Sequence, residues 1–156
     1  MALAIGQKAP EFILHDTEKK IVTLNELRGN NVLLLFFPLA FTGVCTKELC
    51  SIRDNIASYN NVKARVFGIS VDSPQTLARF KEEQHLNFQL LSDFNKEASL
   101  SYGCLYEAFA GWMKGVSKRS AFIVDKKGVI QYAEVLDNAG ELPDFEKINS
   151  ILERLN

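Results

Sequence analysis

The chain has 156 residues, 47% hydrophobic and 24% charged, which is the size and make-up of one ordinary globular domain and excludes a disordered or fibrous chain. Lys plus Arg number 18 and Asp plus Glu 19, a net charge of −1 that argues against a broad nucleic-acid or acidic-membrane surface. The longest apolar run, Val32 to Phe37, falls far short of the roughly 20 residues that cross a bilayer, and Met1 to Pro10 lacks the apolar core of a secretory signal, so a cytoplasmic protein is expected.

In chain order, Phe12–Asp16 and Ile21–Leu24 flank the polar stretch Thr17–Lys20 and read as a hairpin. Asn25 is placed as the cap of a short helical turn ending near Gly29. Asn31–Phe37, apolar without a break from Val32 onward, is bounded by Gly29-Asn30 and Pro38, the pattern of a strand buried on both faces. From Cys45 to about Tyr59, Leu49, Ile52, Ile56 and Tyr59 recur at helical spacing. Val66–Val71 is a second buried strand, and Ser73-Pro74 opens a helix as cap and first residue, with Leu77, Phe80 and Leu86 on its apolar side.

Phe88–Leu91 reads as a short strand, and Asn95–Tyr102 as a short helix stopped by Gly103. Cys104–Lys118 has no period and is read as a loop. Ala121–Asp125 and Val129–Glu134, joined by Lys126-Lys127-Gly128, give a second hairpin. A helix over about Pro143–Leu155 ends the chain, with Phe145, Ile148, Ile151, Leu152 and Leu155 inward. Early strand–helix alternation calls for parallel strands with right-handed crossovers, and the last hairpin adds antiparallel ones. The expectation is an α/β fold: a thioredoxin-like mixed sheet flanked by helices, with an N-terminal β-hairpin extension, in one domain over residues 1–156.

The chemistry concentrates in Pro38-Leu39-Ala40-Phe41-Thr42-Gly43-Val44-Cys45-Thr46-Lys47-Glu48-Leu49-Cys50, between a buried strand and a helix. Ligands of open α/β sheets bind outside the carboxyl ends of the strands. Cys45 falls there, in the first turn of the helix, where unpaired N–H groups and the positive end of the helix dipole favour a thiolate, the reactive form. The Thr42 hydroxyl can donate to or accept from a bound oxygen, and Pro38 supplies a wall without an N–H. A nearby arginine would complete an electropositive pocket. Taken alone, each residue has a plainer explanation. Cys45, Cys50 and Cys104 could be inert buried thiols, Thr42 a loop residue, Arg119 a solvated charge, and Glu48 a first-turn acid favoured by the dipole. Cys104 keeps that plainer reading. His15 and His85 are far apart and adjoin no cysteine, no Cys-x-x-Cys occurs, and neither a metal nor another cofactor is called for. Tyr106, Phe109 and Trp112 form either a satellite core, a dimer patch or a wall of the pocket.

Pro38, Thr42 and Cys45 match the Pro-x-x-x-Thr-x-x-Cys motif, and the chain resembles the peroxiredoxin family over nearly its whole length. Cys45–Cys50 followed by Arg53-Asp54 looks like the bacterioferritin-comigratory (PrxQ) branch, and Phe37–Gly43 like the AhpE branch. Ser70-Val71-Asp72-Ser73, Leu90-Leu91-Ser92-Asp93 and Arg119–Asp125 sit in family order. The resemblance implies an antioxidant thiol peroxidase. Cys45 would attack a hydroperoxide, Thr42 and Arg119 would hold its oxygens, Pro38 would shield the sulfur and Glu48 would orient the arginine. Cys50 would resolve the sulfenic acid as an intramolecular disulfide. The alternatives are resolution by an external thiol, a thioredoxin-like disulfide reductase, and a non-enzymatic redox sensor. The implied reductant is thioredoxin or a glutaredoxin-like protein, and the implied state is a monomer or a homodimer.

Overall fold

The computed structural model describes residues 3–156; Met1 and Ala2, part of the N-terminal stretch read above, lie outside the described residues. The expected hairpin forms from β1 (Ile13–Asp16) and β2 (Ile21–Thr23). Its turn is organised by Asp16, whose carboxylate accepts from the N–H groups of Glu18 and Lys20 at 2.8 and 2.9 Å. β3 (Asn31–Phe36) is the buried strand. Its side chains alternate between two cores, Leu33 and Leu35 entering one, Val32, Leu34 and Phe36 the other. This is why no polar residue interrupts the run.

α1 (Gly43–Asp54) and α2 (Ile56–Asn61) follow, then β4 (Ala64–Ser70), α3 (Pro74–Glu83), β5 (Gln89–Ser92), α4 (Glu97–Ser101), β6 (Ser120–Val124), β7 (Ile130–Val135) and α5 (Phe145–Leu155). β3, β4 and β5 run parallel. β6 lies antiparallel to β3 on the other side, with β7 antiparallel to β6. β1 pairs antiparallel with β5, so the N-terminal hairpin covers what would otherwise be an open edge. The outcome is one seven-stranded sheet ordered β2-β1-β5-β4-β3-β6-β7, the thioredoxin-like mixed sheet with its N-terminal hairpin. The first core takes side chains from α1, α2, α3 and α5; the second is closed by the N-terminal segment, the turn Asn25–Leu27 and α4.

The structure corrects several boundaries. The helix expected over Cys45–Tyr59 starts two residues earlier and is two helices, broken at Asn55. The Asn55 side chain donates to the Ser51 carbonyl at 2.8 Å, competing with the backbone ladder. Asn25 does not cap the turn that follows it; the Thr23 hydroxyl accepts from Glu26 N–H at 3.2 Å instead. Ser73 caps α3 as expected, accepting from Thr76 N–H at 3.1 Å, but the helix ends at Glu83, so Leu86 is buried from the loop beyond it. α4 is shorter than Asn95–Tyr102. Lys96 takes a left-handed conformation, and the carboxylate of Asp93 accepts from Ala98 and Ser99 N–H at 3.0 and 2.7 Å, serving as the cap from a distance. α5 begins at Phe145, not Pro143, with Asp144 accepting from Lys147 N–H at 3.1 Å.

Candidate active site

β3 runs through Phe37 into the loop Pro38–Thr42, and Thr42 is the residue from which α1 departs. Thr46 N–H makes a helical bond to the Thr42 carbonyl at 2.9 Å, so the N–H groups of Gly43, Val44 and Cys45 belong to the unpaired first turn. Cys45 therefore sits in the positive field of the helix mouth, and it is buried, at 1% exposure. The Thr42 hydroxyl donates to the Leu39 carbonyl at 2.7 Å. Its proton is thereby committed, leaving its lone pairs to accept from a ligand O–H.

Arg119 arrives from across the sheet. β6 pairs with β3 through Phe36 and Ser120, which sets the preceding Arg119 beside Phe37 and the exit of β3. The guanidinium is buried, and each of its three nitrogens donates. Nη1 donates to Glu48 Oε1 at 2.7 Å, Nη2 to Cys45 Sγ at 3.3 Å, and Nε and Nη2 both to the Ala139 carbonyl, at 3.2 and 3.0 Å. Cys45 and Glu48 are three apart on α1 and so present one face to it. Burial works against the Arg119 charge, but Glu48 and the Cys45 sulfur outweigh it and hold the group above its ordinary range. Burial pushes the Glu48 carboxyl up to about 7, against the opposing attraction and hydrogen bond of Arg119. Glu48 Oε2 is buried with no hydrogen-bond partner among the described residues.

A cavity of about 240 Å³ opens onto this cluster. Cys45 and Arg119 line it together with Pro38, Leu39, Thr42, Val44, Phe109 and Ala139. The structure thus brings together five of the residues singled out in the sequence: Pro38, Thr42 and Cys45 at the wall, Arg119 beside the sulfur, Glu48 behind the arginine. Cys50 is half-buried on the same helix, and its thiol points at Gln84 Oε1, 3.5 Å away. Cys104 is fully buried in the second core, where desolvation pushes its thiol up to about 12, against a hydrogen bond with Ser120. Of the aromatic group, Phe109 forms part of the cavity wall, Tyr106 lies against it with ring centroids 5.1 Å apart, and Trp112 is 72% exposed. The Ala139 carbonyl was invisible to sequence reasoning because a backbone acceptor has no residue signature.

Phe41 has a positive φ of 65°, a conformation that costs a bulky residue about 1–3 kcal/mol. Its ring rests edge-on against Phe80 of α3, with centroids 5.1 Å apart.

A thioredoxin-like sheet with a buried cysteine at a helix mouth and a guanidinium against its sulfur defines a class, the thiol enzymes built on that fold. The AhpC/TSA family profile matches residues 5–133. Alkyl hydroperoxide reductase E of Mycobacterium tuberculosis is 39% identical over 145 residues, 91% of each chain. Peroxiredoxin Bcp of Escherichia coli is 37% identical over 131 residues, 83% of this chain and 84% of its own. Among solved structures, peroxidoxin BcpB of Mycobacterium tuberculosis superposes with a TM-score of 0.86 at 26% identity, covering 99% of both chains. A peroxiredoxin-like protein of Aquifex aeolicus, 24% identical, shares the fold with a TM-score of 0.90 over 100% of this chain and 90% of its own. The chain belongs to the AhpC/TSA family and is a peroxiredoxin, a thiol-dependent peroxidase that takes a hydroperoxide and a thiol reductant.

Proposed function

We propose that Cys45 is the attacking thiol of a cycle that reduces hydrogen peroxide and organic hydroperoxides. The observation carrying this reading is the 3.3 Å contact from Arg119 Nη2 to Cys45 Sγ, made between residues 74 positions apart that both line the cavity. The Cys45 thiolate attacks one peroxide oxygen. An S–O bond forms and the O–O bond breaks, so Cys45 is oxidised by two electrons to sulfenic acid. The other oxygen leaves, once protonated, as water or an alcohol. Arg119 and the N–H groups of the first turn stabilise the charge passing to that oxygen, and Thr42 accepts from the peroxide O–H. Pro38 keeps water from the sulfur, and Glu48 holds the guanidinium plane. The apolar wall of Leu39, Val44 and Phe109 supports hydroperoxides with an apolar substituent as well as hydrogen peroxide.

Cys50 then attacks the Cys45 sulfur, forming S–S and releasing water, and thioredoxin or a glutaredoxin-like dithiol restores both thiols by exchange. One observation favours the alternative, in which an external thiol resolves Cys45. Both cysteines lie in the continuous helix α1. Five residues of helix separate Cα atoms by roughly 8–9 Å, whereas a disulfide needs them within about 7 Å. We place the activity in antioxidant defence in the cytoplasm, in a monomer or homodimer. Among the described residues, no helix is long and apolar enough to cross a membrane.

Intact mass after one equivalent of peroxide tests the cycle. Loss of two hydrogens, mapped to Cys45–Cys50, is expected. A gain of one oxygen on Cys45 turns the reading to external resolution. A Cys45→Ser protein that still consumes hydroperoxide overturns it altogether.

A further inference from the structure

The motif Ser70-Val71-Asp72-Ser73 carries no role in the chemistry above, yet Asp72 reaches directly into the loop that precedes Cys45. Asp72 Oδ2 accepts from the backbone N–H of Ala40 at 2.8 Å and from the Ser70 hydroxyl at 2.6 Å. Asp72 is itself anchored twice. Its N–H donates to Ser70 Oγ at 3.2 Å, and its carbonyl accepts from the Ser92 hydroxyl at 2.6 Å. The Ser70 carbonyl in turn accepts from Asp93 N–H at 2.7 Å. The carboxyl ends of β4 and β5 are thus tied together, and their joint product is one acceptor aimed at one amide of the Pro38–Thr42 loop. Ala40 is buried, so its N–H would otherwise be left without a partner.

The next residue shows what that anchor holds. Phe41 stands at φ 65°, a conformation a phenylalanine keeps only where its surroundings enforce it. It is enforced from both sides, by the Asp72 bond on Ala40 and by the Phe41 ring against Phe80, which also touches Phe37 at 6.3 Å between centroids. Within the loop so fixed, Leu39 offers its carbonyl to the Thr42 hydroxyl at 2.7 Å. That single bond decides which way the hydroxyl presents its lone pairs to the cavity.

We propose that Asp72 is a positioning residue for the peroxide pocket, acting through Ala40 and the strained Phe41 on the hydroxyl of Thr42. The inference rests on the proposed role of Thr42 as acceptor for the peroxide. The distinction from simple scaffolding lies in its specificity: Asp72 serves the oxygen-binding wall of the site, not the sulfur.

The test is a double-mutant cycle on the full chain, read by stopped-flow reaction of the reduced protein with hydrogen peroxide. Asp72→Ala is expected to slow that reaction at least about tenfold, the scale of a small misplacement in a site. Alkylation of Cys45 by iodoacetamide, followed by peptide mass, is expected to change by less than about threefold, since it does not use the Thr42 hydroxyl. Asp72→Asn, which retains a side-chain carbonyl acceptor, is expected to recover most of the rate. Thr42→Val is expected to slow the peroxide reaction by itself, and Asp72→Ala added to it to cost little more. Should Asp72→Ala fail to fold, Phe41→Ala, which releases the same loop at a half-exposed position, is expected to couple to Thr42→Val in the same way. Losses that multiply in the double variant, or a peroxide rate unchanged in both Asp72→Ala and Phe41→Ala, overturn the proposal. A Thr42→Val protein with full peroxide rate overturns the role of Thr42 itself, and the inference with it.

Discussion

Arg119 would ordinarily remain in water at a strand start, and here it is among the largest fully buried side chains of the molecule. Its placement makes sense through its partners: a carboxylate, a sulfur and a carbonyl, satisfied by one planar fork. A lysine has no such fork and loses the shared geometry. Arg119→Lys is expected to fold but to react with peroxide about 10²–10³-fold more slowly in stopped-flow assays, the scale of losing one oriented donor to the leaving oxygen. Glu48 carries a different signature. Its folded value of about 7 lies above the ordinary 4.5, because burial penalises the charged form. Below pH 4.5 both folded and unfolded chains hold the proton, and the stabilising contribution is fully present. Between 4.5 and about 7 only the folded chain keeps it, so that contribution is lost as pH rises. Urea midpoints across this window are expected to fall in the wild type, and to fall less in Glu48→Gln. An equal slope in both proteins would assign the effect to another group.

At the scale of elements, α1 has two tasks that oppose each other. As an intact helix it presents Cys45 and Glu48 on one face and gives the sulfur its positive surroundings. As an intact helix it also keeps Cys45 from Cys50. Resolution by Cys50 therefore requires the first turns to unwind, although Leu49 and Ile52 are buried in the first core. Circular dichroism is expected to lose helix signal on oxidation by one equivalent of peroxide and to regain it on reduction. A Cys50→Ser protein that keeps full turnover with the same reductant would remove the need for that opening. α3 is simpler. Its start depends on one cap, and Ser73→Ala is expected to lower stability by about 1 kcal/mol in denaturant titration.

At the scale of the whole molecule, the sheet carries the site because β3 and β4 end, and β6 starts, where the loop begins. Close packing there is strict. A Cβ on Gly68 would lie 2.7 Å from Leu90 Cδ2 and 3.3 Å from Phe37 Cε1. Gly68→Ala is expected to destabilise by about 1–3 kcal/mol in urea unfolding, with Phe37 and the loop beyond it displaced. Strand order, by contrast, was only partly legible. The parallel core and the last hairpin follow from the alternation of apolar runs with helical periods. The seating of β1 on β5 depends on two short strands whose pairing leaves no periodic mark. Boundaries failed where a neighbouring polar side chain took over a backbone duty from outside the usual cap position, as when Asp93 capped α4 and left Lys96 to turn left-handed.

What the sequence by itself determined about this protein was local: the buried strand, the helix that follows it, and a cysteine with its threonine and proline at the junction. These are encoded by residues within one or two turns of each other, where periodicity and residue type suffice. The tertiary structure alone decided how the rest of the site is arranged. The pairing of Phe36 with Ser120 brought Arg119 beside Cys45, burial raised Glu48, and the Ala139 carbonyl and the Phe109 ring closed the pocket. Each of those depends on desolvation or on contacts between distant segments, and neither exists until the sheet has assembled.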